Sequence, residues 1–152
     1  IHAALDMEPE LLVHMVHAEA EHLERVADQE VPIAVCPRAN RVLEVGSPPI
    51  ETLLEYTDVA LGTDNVMLNS PSMFREMEYT AKTFDLPSRT VLRMATTAGA
   101  NAADLNCGVI EPGRRAALLV LDGDSDNLSA VADPVDAVVR RASPLDIEQV
   151  IC

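Results

Sequence analysis

Three short apolar runs in this 152-residue chain each end on side chains that can do chemistry. Leu11-Leu12-Val13 delivers His14, Val31-Pro32-Ile33-Ala34-Val35 runs into Cys36-Pro37-Arg38-Ala39-Asn40, and Asp58-Val59-Ala60-Leu61 breaks at Gly62-Thr63 to deliver Asp64. An imidazole that titrates near neutrality and a carboxylate are ordinary partners in general acid–base catalysis. Parallel α/β sheets and barrels build their active sites from polar groups at the C-terminal ends of successive buried strands. The pattern therefore points to an enzyme, with His14 and Asp64 as its catalytic pair.

Each of these residues also has a duller reading. Asp64 after Gly-Thr fits a helix cap or a turn, and His14 fits a hydrogen-bonded core histidine; strand-end placement favours the catalytic role for both. His17 lies three residues beyond His14, so along one strand the two side chains face opposite ways and His17 is structural. His22 is expected to be solvated on its helix. Cys36 reads as a small buried apolar residue, because no base is placed by the sequence to make its thiolate. Asn40 is expected to orient the loop around Asp64 through its amide. Asn65, Met67 and Asn69 follow the strand end where barrel enzymes carry specificity loops, so they are candidates for the substrate pocket. Glu76 reads as an exposed helix carboxylate rather than a support for the site.

The elements that must position these groups are legible in the hydrophobic pattern. Residues 1–8 resemble the end of a helix, and strands are expected at 11–16, 31–35 and 58–61. Between them lie helices over 19–29, where Ala20, Leu23, Val26 and Ala27 share a face, and over 50–56. The strands are continuously apolar rather than alternating, as in a sheet covered on both faces. Beyond Asp64, Ser70 or Ser72 caps a helix to about residue 84, Ser88 caps another through Ala95, and the small residues 97–105 form a third. A strand and turn over 108–113, a strand over 117–122, a polar loop, a helix over 134–141 and a strand over 146–152 complete the chain. The character changes near residue 106, giving two units, 1–106 and 107–152.

Twenty-five acidic residues against eleven basic ones give a formal charge of −14, which repels phosphate backbones and excludes nucleic-acid binding. Lys82 is the single lysine, and aromatic residues are only 3% of the chain. Such an acidic, lysine-poor composition suggests a halophilic protein in a high-salt interior. Cys36, Cys107 and Cys152 contain no C-x-x-C and are odd in number, so they read as free thiols in a reducing, cytoplasmic compartment. No apolar run approaches membrane-spanning length and no signal pattern opens the chain. No Gly-rich phosphate loop follows any strand, which weighs against a doubly wound nucleotide-binding sheet. A homo-oligomer is compatible with the sequence.

His14, Cys36-Pro37-Arg38-Ala39-Asn40, Gly62-Thr63-Asp64, Phe74-Arg75-Glu76-Met77 and Gly108-Val109-Ile110-Glu111-Pro112-Gly113, followed by an apolar strand, stand in an order that resembles the C-terminal part of the metal-dependent amidohydrolase superfamily. The closest likeness is to the branch of cytosine deaminases, S-adenosylhomocysteine deaminases and triazine chlorohydrolases. The resemblance implies an α/β fold: the C-terminal part of a (β/α)8 TIM barrel carrying its last three strands, plus part of a small β-sandwich. It implies one divalent metal ion, Zn or Fe, with Asp64 as the ligand from the last barrel strand and as proton shuttle, and His14 touching substrate and the attacking water. The other ligands, a His-x-His pair and one further histidine, have no counterpart among His2, His14, His17 and His22. By itself the chain is therefore expected to be inactive and poorly folded.

The implied activity is hydrolysis of a small heterocyclic substrate at an amidine-like ring carbon, by deamination or dechlorination. Opening of a cyclic amide uses the same apparatus on a different bond. A catalytically silent scaffold is the alternative from a different class, and a His-x-His upstream distinguishes it from the enzymes.

Overall fold

The computed structural model describes residues 1–152. Its first half is a β-α-β-α-β unit. A short helix α1 (His2–Leu5) precedes β1 (Leu12–Val13), α2 (Ala20–Asp28), β2 (Ile33–Val35), α3 (Pro37–Leu43), α4 (Ile50–Tyr56) and β3 (Val59–Leu61). The three strands form a parallel sheet in the order β1-β2-β3, with Leu12 opposite Ile33, Ile33 opposite Val59, and Val35 opposite Leu61. These in-register branched side chains share one face and form the core with Leu23 and Val26 of α2 and Ile50 and Leu53 of α4. The opposite face carries Val13, Ala34 and Ala60 in register. Val13 stands half exposed there, so only the helix side of the sheet is fully covered.

The strands are shorter than the apolar runs that form them, and β1 stops at Val13 rather than at residue 16. Helix α2 starts from a capping box in which the Glu19 N–H donates to His22 Nδ1 at 3.0 Å. This is why His22 is half-buried rather than solvated. Helix α3 occupies what the sequence suggests is a turn. Pro37 sits at its first position, where the missing N–H costs nothing, and Ala39 and Asn40 turn inward.

After Asp64 the chain is helical: α5 (Met73–Thr83), α6 (Ser88–Ala95) and α7 (Thr97–Ala102). Of the two candidate caps for α5, Ser72 serves, accepting from the Arg75 N–H at 3.4 Å. Ser88 does not cap α6; Pro87 holds that position, and the Ser88 hydroxyl donates to Asp136 at 2.6 Å. Residues 108–113 form no strand. Gly108 has φ +88°, and a Cβ there would lie 2.7 Å from that of Ala100 and 2.9 Å from the Thr96 carbonyl. Gly113 has φ +86°, so the backbone bends at both ends of the segment.

β4 (Leu118–Leu121) pairs antiparallel with β5 (Ile147–Ile151), and α8 (Pro134–Arg141) lies between them in sequence, followed by a 3-10 turn (Pro144–Asp146). In that turn the Asp146 carboxylate accepts from Asn127 Nδ2 at 3.0 Å, from the Ser143 N–H at 2.7 Å and from the Ser143 hydroxyl at 2.9 Å. These bonds, the Asn127 one foremost, bring its pKa down to about 2. A division near residue 106 separates the two sheets but not the helices, because α8 packs on α5 and α6 and buries Val139 in the main core. No helix is long and apolar enough to cross a membrane.

Candidate active site

β1 and β3 end in the same way. The His14 N–H donates to the Ala34 carbonyl at 2.8 Å, the last rung of the β1–β2 ladder, and the Met15 N–H closes back onto the Val13 carbonyl at 3.0 Å. This three-residue turn places His14 at its centre with φ +71°. On β3 the Gly62 N–H extends the ladder to the Val35 carbonyl at 2.9 Å, and two residues later Asp64 takes φ +56°. Both candidate side chains are thus carried by left-handed backbone, which costs a non-glycine residue about 1 kcal/mol or more.

The two turns bring His14 Nε2 to 3.6 Å from Asp64 Oδ2, with the side chains 38% and 27% exposed. Cys36, at the end of β2, completes the group: its Sγ lies with these donor atoms inside a 4.8 Å cluster. Gly62 leaves the space that the Cys36 sulfur fills, since a Cβ on Gly62 would come within 3.1 Å of it. Burial pushes the Cys36 thiol up to about 11, and the Asp64 and Glu76 carboxylates add to the rise. Cys36 is therefore a neutral thiol at neutral pH, consistent with the inert role read from the sequence. Its closeness to Asp64 was signalled only by its place at the end of the second strand.

For a metal ion of the implied kind, Asp64 offers a partly exposed carboxylate oxygen, and His14 Nε2, 3.6 Å from it, is placed to reach substrate or water beside the ion. The donor types suit zinc or iron, and both groups remain partly open to solvent. His14 Nδ1, in contrast, is buried without a partner.

The remaining expected site residues are dispersed. Asn40 is only 1% exposed, yet neither Oδ1 nor Nδ2 has a hydrogen-bond partner, so the anticipated amide bonds to the Asp64 loop are not made. It instead borders a cavity of about 410 Å³ with His14, Val16, His17, Leu43 and Val45. Asn65, Met67 and Asn69 do not wall this cavity. Asn65 Oδ1 accepts from the Met67 N–H at 2.8 Å, which folds the side chain onto its own loop, and Met67 is 88% exposed. Asn69 Oδ1 accepts from Arg38 Nη2 at 3.3 Å.

His17 is exposed and borders the same cavity as His14. Strand alternation does not separate the two, because the strand has already ended. Glu76 is the clearest reversal: far from lying on an exposed helix face, it is wholly buried against Arg38. Its apolar neighbours in sequence gave no sign of the partner 38 residues away.

In a second group of potential donors, His2, Glu21 and His22, three of the four ring nitrogens are engaged. His22 Nδ1 serves the α2 cap, while His2 contacts Glu21 at 3.0 Å through Nε2 and Arg25 at 3.2 Å through Nδ1.

The model of the Amidohydrolase family matches residues 3–152. The chain is 36% identical over 154 residues to a putative aminohydrolase of Methanothermobacter thermautotrophicus, covering 97% of this chain and 38% of that protein. It is 33% identical over 155 residues to a 5-methylthioadenosine/S-adenosylhomocysteine deaminase of Halobacterium salinarum, covering 95% and 36%. The zinc-bound crystal structure of an adenosine deaminase from Xanthomonas campestris superposes with a TM-score of 0.90 at 24% identity, over 99% of this chain and 38% of that one. The chain thus spans well under half the length of these proteins.

Proposed function

We propose, from the premise that this chain belongs to the amidohydrolase family, that it is the C-terminal portion of a metal-dependent hydrolase that cleaves a C–N bond on a heterocyclic ring, releasing the exocyclic amine. The observation that carries the reading is the approach of His14 Nε2 to Asp64 Oδ2 at 3.6 Å across the ends of β1 and β3. In this reading the parallel strands belong to a (β/α)8 barrel, and residues 107–152 contribute to a β-sandwich. Deamination is favoured over the other hydrolyses by the likeness to the Halobacterium deaminase.

Asp64 is the residue of this chain that would hold the divalent ion, zinc or iron. When bound, such an ion supplies a water acidic enough to ionise near neutral pH. The Asp64 carboxylate takes the proton of the attacking water and returns it to the leaving nitrogen, so one group serves as base and then as acid. His14 Nε2 hydrogen-bonds the oxygen added to the ring carbon and so steadies the tetrahedral species, while the displaced electron pair goes to the ring nitrogen. The turn around His14 and the ladder bond to Ala34 hold the imidazole for that task. Cys36, a neutral thiol beside Asp64, does not compete as a nucleophile.

Asp64→Ala in the full-length protein is expected to abolish most turnover of an adenosine-type amine and to lower metal content. Unchanged metal content with intact turnover would refute the assignment. A wild-type full-length protein that holds no metal and hydrolyses no heterocyclic amine would favour the silent scaffold.

A further inference from the structure

Glu76 and Arg38 form a connection that the proposed chemistry does not use. Glu76, on α5, is completely buried. Its Oε1 accepts from the Arg38 backbone N–H at 3.0 Å, and its Oε2 lies 3.4 Å from Arg38 Nη1. The same guanidinium reaches the segment that follows Asp64: Nη1 donates to the Ser70 carbonyl at 3.4 Å and Nη2 to Asn69 Oδ1 at 3.3 Å. Arg38 itself is two residues from Cys36, whose Sγ lies within 4.8 Å of the donor atoms of His14 and Asp64.

The guanidinium side chain is only 14% exposed, so the pair is shielded from water and salt. A buried carboxylate with a single cationic partner is costly to form and is a poor choice if stability alone is served. Burial pushes the Glu76 carboxyl up, and Arg38 counteracts that rise. Asp64, meanwhile, sits in a left-handed conformation that its surroundings must enforce.

We infer that the Glu76–Arg38 pair is a positioning device for Asp64, clamping the loop of residues 64–70 to the end of β2 so that the carboxylate is held at its strained working position. Neither residue touches substrate in this role. The inference rests on the proposed role of Asp64. It predicts a division of effects: loss of the clamp misplaces the proton-transferring and ligating group while leaving ring recognition in place, so kcat and metal retention change and KM does not.

The test uses Glu76→Gln and the double variant Arg38→Met/Glu76→Gln in the full-length protein. The double variant leaves no lone charge buried, so the fold is retained while the ties to Ser70 and Asn69 are removed. At a temperature where all forms are folded, both variants are expected to lose about tenfold or more in kcat, as a displaced catalytic group does. KM should stay within about threefold and metal release should accelerate. Amide hydrogen exchange over residues 64–70 should quicken while that of β2 does not. Unchanged exchange in that loop, a change in KM alone, or a lowered melting temperature with kcat and metal release intact would each overturn the inference. Exchange reads the clamp even if the wild-type protein proves to be no deaminase, so failure of the enzymatic reading stays distinguishable.

Discussion

Gly62→Ala tests how tightly the three strand ends are fitted together. The new methyl carbon would stand 3.1 Å from Cys36 Sγ, closer than ordinary van der Waals contact by several tenths of an ångström. Cys36 has little room to yield, because it is buried. Gly62 has no left-handed backbone to relieve, so the cost is steric, about 1–3 kcal/mol for one added methyl in a packed site. Part of the strain should pass to Asp64 through the sulfur, and a shift of a few tenths of an ångström should lower kcat several-fold. Cys36→Ala should remove the clash, so Gly62→Ala/Cys36→Ala should be more stable than the sum of the single changes by about 1 kcal/mol or more. Urea denaturation of the four proteins in a double-mutant cycle, with kcat measured on each, provides the assay. Additive stabilities, or a Gly62→Ala protein as stable and active as wild type, would refute the packing of sulfur against glycine.

His14→Ala should lower kcat by about 10²-fold, as loss of an intermediate-stabilising group does, with metal retained. His17→Ala should do much less, and reversed effects in steady-state kinetics would overturn the assignment of His14. Asp146, with a folded pKa near 2 against about 3.9 unfolded, stabilises the fold fully above pH 4 and progressively less as pH falls through 2. Asp146→Asn should flatten thermal stability between pH 4 and pH 2, and parallel curves for the two proteins would rule this out. Alkylation at pH 7.5, followed by mass spectrometry, should modify exposed Cys152 readily and spare Cys36, whose thiol is buried and stays protonated; equal labelling would contradict the buried neutral thiol.

The parallel unit was legible because its strands are unbroken apolar runs and its helices present Leu23, Val26, Ile50 and Leu53 at helical spacing. The meeting of His14 with Asp64 followed from that topology, since the C-terminal ends of parallel strands lie on one side of the sheet, here β1 and β3 flanking β2. What escaped the sequence depended on distant partners. Gly108 is confined by Ala100 and Thr96, so an apolar, strand-like segment is bent instead. Glu76 is buried because Arg38, on another element, compensates its charge. Asn65 and Asn69 turned to local backbone and to Arg38, where strand-end position alone suggested a pocket. The turn at His14 arises because the chain leaves the strand as soon as its last ladder bond is made, which hydrophobicity does not encode.

With the roles proposed for them, the left-handed backbone at His14 and Asp64 sets stability and activity against each other at these two positions. Glycine adopts positive φ without penalty, so His14→Gly or Asp64→Gly would remove local strain while deleting the reacting group. A library of this protein sorted only for resistance to heat or protease would accumulate glycine or asparagine at both positions, and one sorted for turnover would purge them. Comparing the two outcomes would map which residues the fold tolerates only for the sake of the reaction.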